Sequence, residues 1–186
     1  MNDFEHLKLK PFSDPVADRF LQALSESHDM RLSAAVRKKV MDLIGTPVPY
    51  FLQIMFSEIA KASKERGIAP TPAAVQALYQ DTVLGVDCKP YFDHYYGRMR
   101  EHYDEQDEKA AKAILRTIAI LGALKRDTCY QIYRKEREGA DIERFNCLMA
   151  NLENDFYVGF NSRQGAYLFS CKLLRDWWLR HYGMEG

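Results

Sequence analysis

The chain has no excess charge of either sign, few cysteines and no long apolar segment. Its 26 lysines and arginines balance 26 aspartates and glutamates, so no net field draws the whole molecule to nucleic acid or an anionic membrane. The four cysteines form no Cys-x-x-Cys pair, which argues against a zinc site or a disulfide framework and favours reduced thiols. The N-terminus lacks a basic segment followed by an apolar one, and the most apolar stretch, Ala113 to Leu124, contains Arg116. We therefore expect a cytoplasmic protein with no export signal and no membrane contact.

Motifs for nucleotide hydrolysis are also missing. No Gly-x-x-x-x-Gly-Lys-Ser/Thr occurs, and none of the glycines is followed by lysine, so no loop of this chain is built to cradle phosphates and place a magnesium ion. No apolar strand ends in paired acids of the Walker B kind. The sequence therefore predicts no catalytic residues and no enzymatic activity for this chain by itself.

A metal site is not predicted either. One predicted helix carries two pairs of acidic and histidine side chains that lie seven or eight residues apart: Asp93 and His94, then Glu101 and His102. Their spacing is not that of His-Glu-x-x-His or a comparable metal-binding motif. Such side chains are far more often solvated than metal-bound.

The first half of the chain has helical periodicity. After an extended opening, Leu7 to Pro11, Ser13 is placed to cap a first helix, and a second is expected from about Ser33 to Ile44, ending at Gly45. A third begins near Pro47 to Pro49 and ends at Gly67, and a fourth runs from about Thr71 to Leu84. These patterns predict a small helical bundle over residues 1–88.

The second half has a different organisation. A linking helix is predicted over 89–106 and another from Lys109 to Leu124, and Asp127 and Asp141 are each placed to cap a further helix. Two short β-like runs, 157–160 and 166–169, flank a hairpin loop, and a last helix carries Trp177 and Trp178. Three helices, a β-hairpin and a closing helix predict a winged helix-turn-helix over 107–186. The fold class is mainly α.

Three segments carry a resemblance to a known group of proteins: Lys10-Pro11-Phe12, the run Gly45-Thr-Pro-Val-Pro-Tyr-Phe-Leu-Gln53, and the tail Ser170 to Tyr182. On these segments the chain resembles the C-terminal region of prokaryotic AAA+ and STAND-type ATPases, in which a helical lid is followed by a winged helix. The resemblance implies that residues 1–88 are the lid, and that a core holding ATP or ADP with magnesium belongs to a parent protein. It also leads us to expect that Met1 is not the start of that parent.

The resemblance assigns a role to the turn between the second and third helices. Gly45-Thr46-Pro47 looks like the GxP motif with which such lids touch the bound nucleotide. A helix N-terminus offers free amide donors to phosphate, and a fixed pyrrolidine ring packs flat against a base or ribose. Without the resemblance, the same three residues would only end one helix and start another.

A second hypothesis follows from the predicted winged helix: the chain is a DNA-binding protein with a helical dimerisation domain. The helix expected to enter the major groove, 141–155, carries Asp141, Glu143, Glu153 and Asp155 against Arg144 alone, which opposes contact with phosphates. Basic side chains near it that would touch nucleic acid or a partner protein are Arg134, Lys135, Arg144 and Arg163. Acidic residues lie among them, so a solvated face of mixed charge is favoured over a nucleic-acid footprint. The resemblance implies docking on the ATPase core, since in related STAND proteins the winged helix packs on the nucleotide domain and helps to hold the off state.

The missing phosphate loop leads to a first prediction. We expect the purified chain to show no ATP hydrolysis above a protein-free blank in the presence of magnesium, measured by phosphate release. Turnover that survives repurification and is lost on substitution of residues in this chain would overturn the prediction.

Overall fold

The computed structural model of the protein describes residues 11–183. Helices form most of this part of the chain, and its strands form one small antiparallel sheet, so the predicted mainly α class is confirmed. The elements are, in order, α1 (Asp14–Ser27), α2 (Ala34–Ile44), α3 (Pro49–Arg66), α4 (Pro72–Leu78), a π-helical turn (Tyr79–Val83), α5 (Lys89–His102), α6 (Glu105–Leu121), β1 (Leu124–Lys125), α7 (Arg126–Glu136), α8 (Ile142–Asn154), β2 (Val158–Asn161), β3 (Ala166–Phe169) and α9 (Lys172–Tyr182). The predicted extended segment before Pro11 lies outside the described residues.

The chain divides into two compact units, Met1–Gln76 and Ala77–Gly186. This division falls before the sequence-based limit at residue 88, because the segment after α4 bonds to α9. The Tyr79 hydroxyl donates to the Asp176 carboxylate at 2.7 Å, and the Arg180 guanidinium donates to the carbonyl oxygen of Gln80 at 2.7 Å. The sequence offers no local signal for bonds that join residues about a hundred positions apart.

In the first unit, the helix ends follow the local chemistry that the sequence predicts. The Ser33 hydroxyl accepts a hydrogen bond from the amide of Val36 at the start of α2. Gly45 and Gly67 end α2 and α3 with φ of 79° and 63°, the region that glycine enters without steric cost. Ser13 occupies the N-cap position of α1 as predicted, but its side chain makes no capping hydrogen bond.

An ion pair joins the first two helices of this unit. The Arg37 guanidinium lies 2.7 Å from the Asp18 carboxylate, and it also donates to the carbonyl oxygen of Leu32 at 2.8 Å. Beneath this pair, the apolar faces of the helices bury Leu21, Val40, Leu52 and Met55 completely. Packing of three amphipathic helices around these side chains accounts for the bundle.

In the described part of the chain, the three strands lie in the second unit, among its helices. β3 lies at the centre of the sheet and pairs antiparallel with both β1 and β2, so the strand order is β1-β3-β2. The predicted hairpin is confirmed, with β2 and β3 joined by a turn in which Gly165 has φ of 59°. β1 was not predicted, because two residues are too few to establish an alternating pattern.

Several helix ends in this unit differ from the prediction. Helix α5 ends at His102 rather than at residue 106, and α6 begins at Glu105 rather than at Lys109, with Asp104 as its N-cap. Helix α6 ends at Leu121 rather than Leu124, since Gly122 adopts φ of 85° and its amide closes the helix on Ile118. The predicted N-cap at Asp127 is wrong: Lys125 is the N-cap residue of α7, and Asp127 lies in the first turn. An acidic residue is favourable there as well, because it faces the positive end of the helix dipole. Asp141 caps α8 as predicted, accepting from the amide of Arg144 at 2.8 Å.

A buried arginine joins the start of α6 to the end of α7. Arg137, whose side chain is 7% exposed, donates to the Asp104 carboxylate at 2.7 Å and lies 2.8 Å from that of Asp107. The Asp104 carboxylate also accepts from the amide of Asp107 as the N-cap of α6. These hydrogen bonds, chiefly the one from Arg137, lower the pKa of Asp104 to about 2.

The Asp104–Arg137 pair predicts a dependence of stability on acid. A carboxyl group whose pKa is lower in the folded than in the unfolded state stabilises the fold above its unfolded pKa, near 4, and loses this contribution as the pH falls toward 2. We expect Asp104→Asn, which keeps a capping side chain, to lower the urea midpoint at pH 7 and to reduce its fall between pH 5 and pH 2.

The matched control is Asp141→Asn at the N-cap of α8, which has no such arginine partner among the described residues. Equal acid dependence in the wild type and in Asp104→Asn would contradict the role given to this pair. A second variant, Arg137→Met, leaves the Asp107 carboxylate largely buried without its cation, and we expect it to cost about 3 kcal/mol at pH 7.

Candidate functional site

The turn singled out by the sequence, Gly45-Thr46-Pro47, lies between α2 and α3 in the first unit. Gly45 is exposed, Thr46 is half-buried and Pro47 is buried. The carbonyl oxygen of Pro47 accepts from the amide of Phe12 at 3.0 Å, and that of Thr46 accepts from the amide of Val48 at 2.9 Å. Within this chain, Gly45 and Thr46 are therefore the accessible part of the turn, while the ring of Pro47 serves packing.

A cavity of about 480 Å³ opens beside this turn, lined by Asp14, Lys38, Met41, Asp42 and Gly45. The Lys38 ammonium pairs with the Asp42 carboxylate at 3.0 Å. With two acidic side chains, one lysine and the C-terminal end of α2, the local field is negative. Such a surface accepts hydrogen bonds from hydroxyl and amino groups and repels phosphate.

The four basic residues predicted as contacts lie in the second unit, on three elements. Arg134 and Lys135 are exposed in the last turn of α7, Arg144 in the first turn of α8, and Arg163 in the β2–β3 turn. The Arg134 guanidinium lies 6.0 Å from the ring centroid of Tyr130. The amide of Arg163 donates to the Asn161 side chain at 3.0 Å, which fixes the backbone of the turn. All four guanidinium or ammonium groups are on solvent-facing parts of the unit.

The charge of α8 differs from what a count along the sequence indicates. Asp155 pairs with Arg98 at 3.0 Å, and the carboxylate of Asp141 caps the helix. The exposed side chains of the helix itself are mostly uncharged: Ile142, Glu143, Arg144, Asn146, Cys147, Ala150, Asn151 and Asn154. The surface of α8 is therefore less acidic than the sequence count of one base against four acids implies, because Asp155 is paired with Arg98.

A second cavity, of about 240 Å³, was not predicted from the sequence. It lies in the second unit and combines aromatic with basic side chains: Tyr96, Lys109, Lys112, Ala113, Arg116, Glu136, Trp178 and Tyr182. The signal that could have indicated it is the spacing of Lys109, Lys112, Ala113 and Arg116, which places them on one face of α6.

Neither metal binding nor membrane insertion receives positive support. Among residues 11–183, no three His, Cys, Asp or Glu side chains come together in a way that could hold a metal ion. In the same part of the chain, none of the helices combines the length and the apolar character needed to span a bilayer.

Comparison with known proteins gives a fold but no family. No family model matches the chain, and no curated protein matches its sequence. A solved structure with the same overall fold is that of the Walker-type ATPase PABY2304 of Pyrococcus abyssi, with a TM-score of 0.57 and 12% identity over 90% of this chain. The match covers 42% of that ATPase chain. The described fold is thus one that occurs within a larger Walker-type ATPase.

Proposed function

We propose that this chain is the nucleotide-sensing lid and winged-helix region of an AAA+ or STAND-type ATP-binding protein. The observation that carries the proposal is the extent of the structural match: nine-tenths of this chain corresponds to less than half of a Walker-type ATPase. The missing phosphate-binding loop fits this reading, since catalysis then belongs to a core outside these residues.

The order of elements in the second unit supports the winged-helix assignment. A helix, a short strand, two helices, a hairpin and a closing helix follow one another from α6 to α9, with β3 between the other two strands. In this interpretation α8 takes the position of the recognition helix and the β2–β3 hairpin that of the wing. The unit acts as a docking module, which transmits lid movement to the core or to a partner protein.

The geometry of the first unit refines the proposed nucleotide contact. Gly45 and Thr46 are accessible, and the nearby carboxylates of Asp14 and Asp42 disfavour phosphate. The lid therefore meets the ribose or base edge of the nucleotide, whose hydroxyl and amino groups can donate to such acceptors. Phosphates and magnesium are held by the core.

This proposal predicts an effect of Thr46→Glu in the native polypeptide that carries this sequence, isolated through a C-terminal tag. We expect that polypeptide to contain a phosphate-binding loop and to bind ATP with magnesium. Because the longer glutamate side chain at this half-buried position keeps the ribose or base edge away from the turn, the substitution should weaken ATP affinity about tenfold, as measured by calorimetry.

The control is Thr128→Glu, which places the same charge on an exposed position of α7 in the other unit. Unchanged affinity in the Thr46 variant would reject the proposed contact. A native polypeptide with no phosphate-binding loop would reject the whole proposal.

DNA binding by the winged helix is a second candidate, favoured by one observation. The exposed face of α8 carries Asn146, Asn151 and Asn154, and asparagine side chains can read adenine edges in the major groove. The basic residues that would flank such a contact are Arg134, Lys135, Arg144 and Arg163.

A salt series separates docking from DNA binding. On the docking proposal, the chain binds a fluorescent DNA duplex weakly, and replacing Arg163 and Arg144 by glutamine changes little. On the DNA proposal, the logarithm of affinity falls linearly with the logarithm of salt concentration, and each lost phosphate contact reduces the slope by about 0.9. Fluorescence anisotropy measures both quantities. A tight, sequence-dependent complex at physiological salt would favour DNA binding.

A further inference from the structure

The 240 Å³ cavity of the second unit has one aromatic wall. The rings of Tyr96 and Tyr182 stack with centroids 3.8 Å apart and planes 9° apart, and Trp178 lies 5.4 Å from Tyr96 between ring centroids. These rings come from α5 and α9, and they hold one another in place. Trp178 is fully buried, so Tyr96 and Tyr182 form the accessible part of this aromatic wall, which suits a flat ligand.

The other wall is a basic face of α6. Lys109, Lys112 and Arg116 line the cavity, against Glu136 as its acidic side chain. The Lys112 ammonium pairs with Glu108 and lies 3.7 Å from the ring centroid of Tyr96. Its charge therefore already has partners within the protein. Lys109 pairs with Glu105, but both side chains are more than half exposed, and such pairs exchange readily for other partners.

Arg116 differs from these lysines. Its guanidinium meets the carbonyl oxygen of Gly183 at 3.4 Å, near the limit of a hydrogen bond, and within residues 11–183 it has no carboxylate within 4.0 Å. The group is half-buried at one end of an aromatic cavity. A guanidinium in that position favours a planar anion, since its parallel N–H groups match the two oxygens of a carboxylate.

The cavity is open because Ala113, between the basic residues of α6, has a small side chain. Because Ala113 is half-buried and lines the cavity, a leucine at this position would extend into the space. The volume lies below the roughly 300 Å³ at which sites for drug-sized ligands begin. The ligand is therefore the size of a single ring.

We infer that this cavity binds a small planar organic anion, an aromatic ring that bears a carboxylate. The ring packs against Tyr182, and the carboxylate accepts hydrogen bonds from Arg116 and from the Lys109 ammonium. This site is independent of the proposed nucleotide contact, which lies in the other unit.

Benzoate and its uncharged analogue benzamide test the inference with the full chain. We expect saturable binding of benzoate, seen as shifts of the Ala113 and Arg116 amide resonances and as a change in tryptophan fluorescence. Benzamide should bind about tenfold more weakly, because it has no negative charge and offers Arg116 one acceptor oxygen instead of two.

Two variants localise the binding. Ala113→Leu should abolish it by filling the cavity, whereas Ala150→Leu, the same change at an exposed position of α8, should leave it unaltered. Arg116→Gln should reduce the preference for benzoate over benzamide to the part that Lys109 supplies, and this result decides the question even if Ala113→Leu does not fold. Absence of saturable benzoate binding, equal affinity for the two probes, or full binding by Ala113→Leu would each overturn the inference.

Discussion

The packing of Trp177 and Trp178 is the interaction on which the second unit depends. Both side chains are fully buried, and they come from consecutive residues of α9 that face different neighbours. Trp177 stacks on Phe92 of α5 with centroids 5.5 Å apart, whereas Trp178 contacts Tyr157 and Phe169 of the hairpin region edge-on or tilted. Each buried indole removes some 150–250 Å² from water. One turn of one helix therefore fixes the position of α5 and of the hairpin together.

Helix α9 also determines where the second unit begins, and it supplies part of the candidate ligand site. Tyr79 and Gln80 belong to the unit because Asp176 and Arg180 of α9 bond to them. Burial, reinforced by the hydrogen bond to Asp176, raises the pKa of Tyr79 far above its ordinary value, so its hydroxyl remains a donor at any physiological pH. The aromatic side of the anion cavity also depends on α9, since Tyr182 stacks on Tyr96 one turn beyond Trp178. Core packing and the candidate ligand site are thus parts of one aromatic cluster.

The local features of the fold could be predicted from the sequence, and the long-range ones could not. The Ser33 and Asp141 caps, the glycine stops at Gly45 and Gly67, and the hairpin turn all follow from short-range backbone chemistry. The π-helical turn after α4, the strand β1 and the bonds from α9 depend on contacts far along the chain. In the candidate sites, the position of the Gly45 turn was predictable, but the burial of Pro47 and the aromatic wall beside Arg116 were not.

Counting charges along one helix fails here for a definite physical reason. A charge affects a binding partner only when no neighbour neutralises it, and the neighbours of α8 come from elsewhere in the fold. Asp155 pairs with Arg98 of α5, and the Asp141 carboxylate accepts a hydrogen bond from the amide of Arg144 in its own helix. On α6, the sequence shows a row of basic residues, but Lys109 and Lys112 are each paired with a glutamate one turn away. Arg116 differs because its contact is a backbone carbonyl oxygen. The charge that each surface presents to a partner therefore depends on which side chains form ion pairs in the fold, and the amino-acid composition does not give this information.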